Sequence, residues 1–340
     1  MARSEPPRRI VCIRPGALGD TLLTLPALAL LRERWPGAEI TFVARRETLP
    51  LAQASGLAHS TYAYELPAWS ALFAEELAAG TGASDRLPCS LAGSAVIAWL
   101  HDGEGLVARN LGLLGASPVV IAQTQPQSDP PEHMALTLAR GAAGLGVTVR
   151  ASVEELRYML PPLRAPAQDE HAADELWRSL WAGDGGRVIA LHPGSGGAAK
   201  RWPPESFAAL ARELLARGER PLLIEGPQDA GVIQRVREAS GDAAAGNVPV
   251  ACGLSIGALA ALLPRCAAYV GNDSGVTHLA ALVGTRTVAL FGPSDPAIWA
   301  PLGERVQVIR AAHGRMEEIT PEEVETGLSL SAFVGRIEGE

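Results

Sequence analysis

Short apolar runs alternate with longer segments of helical periodicity along nearly the whole chain. One proline-rich break, Pro161-Pro162-Leu163-Arg164-Ala165-Pro166, divides the pattern into two similar halves. A buried strand reads as a short apolar run, and a surface helix as an apolar stripe recurring every three or four residues. Their alternation requires parallel strands joined by helical crossovers, because a parallel neighbour cannot be reached through a tight turn. In the first half strands are expected at 10–14, 40–44, 95–100 and 118–122, with helices at 20–35, 47–54, 69–79, 106–114 and 132–144. Pro26 falls inside the first helix and is expected to kink it. The second half repeats the scheme, with strands at 187–191, 221–225, 248–251, 267–270, 287–291 and 305–310 and helices at 169–181, 204–217, 229–239, 255–263, 275–283 and 321–333. The fold class is therefore α/β, with two Rossmann-like domains whose parallel sheets are expected to face across a ligand-binding cleft.

Composition removes several function classes. With 47% hydrophobic and 19% charged residues the chain is globular rather than disordered. A net charge of −8 gives no broad basic face, so no nucleic-acid partner is expected. Cys12, Cys89, Cys252 and Cys266 are scattered without a C-x-x-C pair, which speaks against a disulfide framework and fits a reducing, cytoplasmic compartment. The first residues lead straight into a strand-like run without a signal-type apolar region, and no apolar run reaches the ~18 residues that a membrane span needs. Peripheral contact with a membrane is compatible with all of this.

The first candidate constellation is Arg14-Pro15-Gly16-Ala17-Leu18-Gly19-Asp20-Thr21, directly after the first strand. Its G-x-x-G spacing is not the G-x-G-x-x-G dinucleotide fingerprint. Asp20 falls where the next helix begins, and Asp is a preferred helix cap. The other reading makes it a general base, and a carboxylate there would repel a pyrophosphate on that helix end, which favours a neutral hydroxyl acceptor. Both readings stand on sequence alone.

Of 29 basic residues only Lys200 is a lysine. It lies in His192-Pro193-Gly194-Ser195-Gly196-Gly197-Ala198-Ala199-Lys200-Arg201-Trp202-Pro203, a Gly-rich strand-to-helix turn. A compact ammonium, backbone N–H groups exposed by glycines and the Ser195 hydroxyl together suit a phosphate-bearing ligand. A second such turn, Gly271-Asn272-Asp273-Ser274-Gly275-Val276-Thr277-His278, follows a later strand. Asp273 and Ser274 read equally as caps, yet the N–H groups of Ser274, Gly275 and Val276 would face the same ligand. Two such loops in one half form a diphosphate cradle. Glu225 ends a strand at the same edge, where a carboxylate can accept both ribose hydroxyls or simply be a turn-edge charge. His192 and His278 lack partners at zinc-ligand spacing, so no metal site is expected.

At these residues the chain resembles glycosyltransferase family 9, the ADP-heptose:lipopolysaccharide heptosyltransferases. The resemblance is carried, in family order, by RIVCIRPGALGDTLLTLPALALLRERWPGAEITFVA, VIALHPGSGGAAKRWPPESFAALARELLARG, LLIEGPQDA and LSIGALAALLPRCAAYVGNDSGVTHLAALVGTRTVALFGPSDPAIWAP. It implies a GT-B fold, with residues 1–162 as the acceptor-side domain, 163–319 as the nucleotide-sugar domain and a C-terminal helix, 320–338, packing back on the first. It implies an inverting, metal-independent transfer with no cofactor, from a nucleotide-sugar donor such as ADP-heptose to a lipopolysaccharide-core or other glycan or glycolipid acceptor. That places the protein in the cytoplasm, with room for contact at the cytoplasmic face of the inner membrane. Asp20 matches the family's general base and Lys200 the lysine that holds the leaving diphosphate. Asp273, Ser274, Gly275 and His278 match the D-S/T-G-x-x-H-L donor loop, while Gly19, Ser195, Gly196, Glu225 and Val276 complete the expected donor contacts.

Two departures mark this chain. The stretch His101-Asp102-Gly103-Glu104 is acidic where the family is usually basic, and residues 1–160 carry 13 arginines against 15 acidic residues. Glu225 stands where a glycine is common. The acceptor is therefore expected to differ from the anionic inner-core case. Two other classes are weighed: an NADP-binding Rossmann oxidoreductase using Arg45 and Arg46 on a 2′-phosphate, and a non-catalytic nucleotide-sugar-binding protein.

Overall fold

The computed structural model describes residues 6–77, 83–181, 186–241 and 248–329. The chain divides at the proline run into two compact units, Met1–Pro161 and Pro162–Glu340.

In the first unit β1 (Arg9–Arg14), β2 (Glu39–Ala44), β3 (Ser60–Ala63), β4 (Ala95–Trp99) and β5 (Val119–Ala122) form one sheet in the order β3-β2-β1-β4-β5, with every pairing parallel. Ile10, Val11, Cys12 and Ile13 of the central strand are all buried, so β1 shows no inside-outside alternation. That is the mark of a strand covered on both faces. The Leu18–Arg34 helix is apolar over most of its circumference, with Leu22, Leu23, Leu25, Leu28, Leu30 and Leu31 buried. A helix of that kind belongs in a core. It runs unbroken through Pro26.

The second unit repeats the topology with one more strand. β6 (Val188–His192), β7 (Arg220–Ile224), β8 (Val250–Ala251), β9 (Ala268–Asn272), β10 (Thr287–Phe291) and β11 (Val306–Arg310) lie in the order β11-β10-β9-β6-β7-β8, again all parallel. The Pro204–Ala216 helix buries Phe207, Leu210 and Leu214 on this sheet, and the indole of Trp202 packs edge-on to Phe207 with ring centroids 4.9 Å apart.

Several local expectations change. The helix expected at 69–79 is a 3₁₀ segment, Pro67–Phe73, over its described part. Its carbonyls at Leu72 and Ala74 are taken by the fully buried Asn110 amide, at 3.1 and 2.8 Å, rather than by a further helical turn. Strand β3 and the Val153–Tyr158 helix were not expected. β3 is short and half exposed, so it lacks the apolar run that marks its neighbours. The described part of the terminal helix, Pro321–Ser329, buries Val324 and Leu328 in the second unit's core, and residues 330–338 lie outside the described residues.

The Met134–Gly141 helix approaches β4 and β5 closely because Gly141 has no side chain. A Cβ there would lie 2.6 Å from Ala122 Cβ and 2.8 Å from Trp99 Nε1. Trp99 Nε1 donates to Leu138 O at 2.9 Å across the same contact. Gly141→Ala is therefore expected to destabilise the first unit by about 1–3 kcal/mol through overpacking, despite alanine's better helix propensity. Chemical denaturation of the two proteins checks this; equal midpoints would show that the contact yields freely.

Candidate active site

In each sheet the strand order reverses once between neighbours, at β1/β4 in the first unit and at β6/β9 in the second. Ligands of open parallel sheets bind outside the carboxyl ends of the strands at such a reversal. The two expected constellations stand at these two points.

In the first unit Arg14 ends β1 and Asp20 lies in the first turn of the Leu18–Arg34 helix. Asp20 Oδ2 accepts the Ala17 N–H at 2.9 Å, and Oδ1 accepts from Arg14 Nη2 at 2.7 Å. Its helix-end role is thus a reach back from the third helical position to the N-cap residue, Ala17, rather than that of the cap itself. It does not exhaust the group, because a carboxylate offers about four acceptor sites and this side chain is 29% exposed. Arg14 is buried and also reaches Trp99 O at 3.4 Å, across the reversal. Burial pulls the guanidinium below its ordinary pKa, against the pull of the Asp20 charge. Gly16 is needed here, since a Cβ on it would collide with the Asp20 side chain. Gly19 sits beside Asp20 in the same turn. After β4, Asp102 accepts from the N–H groups of Val107 and Ala108 at 3.0 and 2.9 Å. Part of the acidity that departs from the family pattern thus caps a helix.

In the second unit Lys200 Nζ donates to Asp273 Oδ2 at 2.7 Å, and Ser294 Oγ donates to the same oxygen at 2.7 Å. Ser195 Oγ donates to Asp273 O at 2.9 Å. The structure therefore brings Ser195, Lys200 and Asp273 together, with the carboxylate 8% and the ammonium 39% exposed. Asn272, wholly buried, links the loops. Its Oδ1 accepts the Trp202 N–H at 2.9 Å and its Nδ2 donates to Pro193 O at 2.9 Å. Ser274 caps the Gly275–Leu282 helix through Thr277 N. The N–H groups of Ser274, Gly275 and Val276 have no acceptor among the described residues. Gly196 is exposed, and a Cβ on it would meet nothing within 4 Å, which leaves its backbone open to a ligand. Glu225 follows β7, half exposed, its carboxylate without a hydrogen bond or ion pair among the described residues. His278 is buried in the helix's first turns.

Gly194 has a different use from the one expected. A Cβ there would collide with the Asp229 carboxylate, and one on Gly226 would lie 2.6 Å from it. Asp229 Oδ2 sits 3.1 Å from His192 Nε2 and accepts the Gly226 N–H at 3.0 Å. Burial opposes ionisation of Asp229, but the His192 contact, the Gly226 N–H and the Arg201 charge outweigh it and hold the carboxyl below its ordinary value. Sequence reasoning missed Arg14, Asp229, Asn272 and Ser294. For Arg14 a signal existed: an arginine ending a buried strand needs a carboxylate nearby. For the others the long-range partners are 21 to 79 positions away, and no local pattern reports them.

Two Rossmann-type units with parallel sheets of this order place the chain in the GT-B class of α/β proteins. The profile of glycosyltransferase family 9 (heptosyltransferase) matches residues 149–328, just over half of the chain, and the chain belongs to that family. Lipooligosaccharide heptosyltransferase 2 of Haemophilus influenzae is 32% identical over 146 residues, 42% of each chain. The match thus spans less than half the length of that relative. Among solved structures, the glycosyl transferase family 9 protein of Veillonella parvula superposes with a TM-score of 0.78 at 21% identity, covering 96% of this chain and 99% of that one. The E. coli ADP-heptose lps heptosyltransferase II gives 0.67 at 21% identity, covering 94% and 97%. These likenesses show the fold. Family membership sets aside the oxidoreductase reading. Among the described residues no helix is long and apolar enough to cross a membrane, and no group of three or more His, Cys, Asp or Glu stands together as metal ligands would.

The Asp229–His192 contact makes a pH prediction. A carboxyl held below its unfolded value of 3.8 adds stability above that pH and loses the contribution as the pH falls through the lower folded value. Asp229→Asn is therefore expected to be less stable than wild type at neutral pH, with the difference in unfolding midpoint closing below about pH 4. Denaturant titrations from pH 7 to 3 read this directly, and a gap that is constant with pH would show that Asp229 contributes by shape alone.

Proposed function

We propose that the chain is an inverting glycosyltransferase that moves a heptose from ADP-heptose onto a hydroxyl of a lipopolysaccharide-core or other cell-surface glycan, without a metal. The observation that carries this reading is the lone lysine at the second unit's strand reversal, beside backbone N–H groups that have no acceptor among the described residues. The named activities of the relatives supply the donor and acceptor class. The same reading puts the protein in the cytoplasm, with its glycolipid acceptor at the inner membrane.

The chemistry divides between the units. The second takes the donor. Its diphosphate meets the Lys200 ammonium and the helix start at Ser274, Gly275 and Val276, with Ser195, Gly196 and His278 around it, and Glu225 accepts the ribose hydroxyls. The first unit supplies Asp20, with Gly19 beside it. Asp20 takes the proton of the acceptor hydroxyl as that oxygen bonds to the anomeric carbon. The bond from that carbon to the diphosphate breaks, and its electron pair leaves on the phosphate oxygen, so the configuration inverts. Lys200 and the helix N–H groups stabilise the charge that grows there. Arg14 fixes the Asp20 carboxylate in place through their 2.7 Å ion pair. Incubation of the protein with ADP-heptose and a truncated lipopolysaccharide should release ADP and lengthen the glycan, with or without a chelator. A rate abolished by the chelator and restored by a metal would overturn the metal-independent part.

Lys200→Arg is expected to slow transfer about ten-fold or more, roughly 1.4 kcal/mol, because a planar fork cannot occupy the place of a compact ammonium against Asp273 and the diphosphate. A wild-type rate in that variant would make Lys200 incidental.

Asp20→Asn is expected to leave ADP-heptose affinity near wild type and to lower turnover by about 10² to 10⁴. It is also expected to cost about 1–3 kcal/mol of stability, since the buried Arg14 loses its charged partner. Turnover above about a third of wild type would remove Asp20 as the base.

A further inference from the structure

The transfer chemistry above leaves His192 and Asp229 unused, although both are buried, at 3% and 7% exposure, at the strand reversal where the donor is placed. Asp229 Oδ2 lies 3.1 Å from His192 Nε2. An ionised carboxylate only accepts, so Nε2 carries a proton. Across the ring, His192 Nδ1 faces Ser274 Oγ at a long 3.4 Å. Ser274 Oγ also accepts the Thr277 N–H at 3.4 Å and has Thr277 Oγ1 at 3.1 Å. Thr277 Oγ1 gives its own proton to Asn272 O, so toward Ser274 it is an acceptor.

The Tyr269 hydroxyl joins the same cluster, 3.0 Å from Thr277 Oγ1. The inward acceptors for the single proton of Ser274 are thus Thr277 Oγ1, the Tyr269 hydroxyl and, when it is bare, His192 Nδ1. A neutral ring presents a bare Nδ1, which draws that proton inward. A doubly protonated ring donates from Nδ1 to Ser274 Oγ, fills its remaining lone pair and leaves the proton for an outer acceptor. An anionic phosphate oxygen is a stronger acceptor than the neutral Thr277 hydroxyl.

We propose that Asp229 and His192 form a buried positioning relay that turns the Ser274 hydroxyl toward the donor diphosphate, so that donor binding takes up one proton at His192. This rests on the reading that the second unit binds a nucleoside-diphosphate sugar. No proton passes through Ser274; it exchanges one hydrogen-bond partner for another. The groups around His192 fit the assignment. Asp229 opposes the imidazolium charge directly. Glu225 ends the neighbouring strand β7, Arg201 acts on Asp229, and Lys200 is matched by Asp273. His278 lies in the helix that Ser274 caps. Tyr269, its ring stacked 6.5 Å from His192, is pushed by burial well above its ordinary pKa and stays neutral.

The test is the affinity of ADP-heptose, measured by calorimetry from pH 6.5 to 9. Both phosphates of this probe are diesters and gain no proton in that window. Wild-type affinity is expected to fall with rising pH, by at most ten-fold per pH unit, the slope of one linked proton. His192→Gln and Ser274→Ala are each expected to bind more weakly at pH 6.5 and to give a flat profile. Ser274→Thr keeps the hydroxyl and should restore the slope, and Asp229→Asn should move the fall to lower pH. Ser274 is only half buried, so its variants carry the test even where the His192 variant fails to fold. A flat wild-type profile, or a slope that persists in Ser274→Ala, overturns the relay while leaving the donor reading intact. No binding of ADP-heptose at any pH overturns both.

Discussion

The second unit's site depends on one buried amide. Asn272 ends β9, and its two polar atoms reach opposite ends of the Lys200 loop, at Pro193 and at Trp202. A buried amide left unsatisfied costs about 1–3 kcal/mol, so the loop is held to the one conformation that satisfies both ends. Trp202 extends the constraint, because its indole N–H donates to Ile319 O at 2.8 Å while its ring fills the core. The place of Lys200 is thereby imposed from the interior, although the ammonium itself is partly in solvent.

The two units use ion pairs in opposite senses. In the first, the cation is buried and the carboxylate is partly open. In the second, the carboxylate is buried and the cation is partly open. The open partner is in each case the one the proposed chemistry needs, a base in one unit and a phosphate-binding cation in the other. The closed partner holds it in place and offsets its charge. Neither pair need contribute much net stability, since a half-exposed lysine is well screened and buried charges carry a desolvation cost. Their value is positional.

Much of this was legible in the sequence because parallel sheets write themselves locally. Each buried strand is an apolar run, each crossover a periodic helix, and each Gly-rich turn lies at a strand's carboxyl end. That sufficed for both sheets' central strands and for the loops holding Asp20, Lys200 and Asp273. β3 escaped because a short, half-exposed edge strand has no such run, and the 3₁₀ segment at Pro67–Phe73 because its ending depends on Asn110, far along the chain. The glycines show the limit most clearly. Gly194 and Gly196 look alike in the sequence, yet one makes room for Asp229 and the other for nothing among the described residues. Only three-dimensional proximity separates them.

The arginine-for-lysine bias has a consequence for handling the molecule. Since Lys200 is the single lysine of this sequence and is 39% exposed, it is the one side-chain amine here that amine-directed reagents can meet. Acylation, reductive methylation or an amine-reactive fluorophore will therefore place its one side-chain label beside Asp273, at the carboxyl end of the second sheet. A ligand bound there as proposed would shield that label's position.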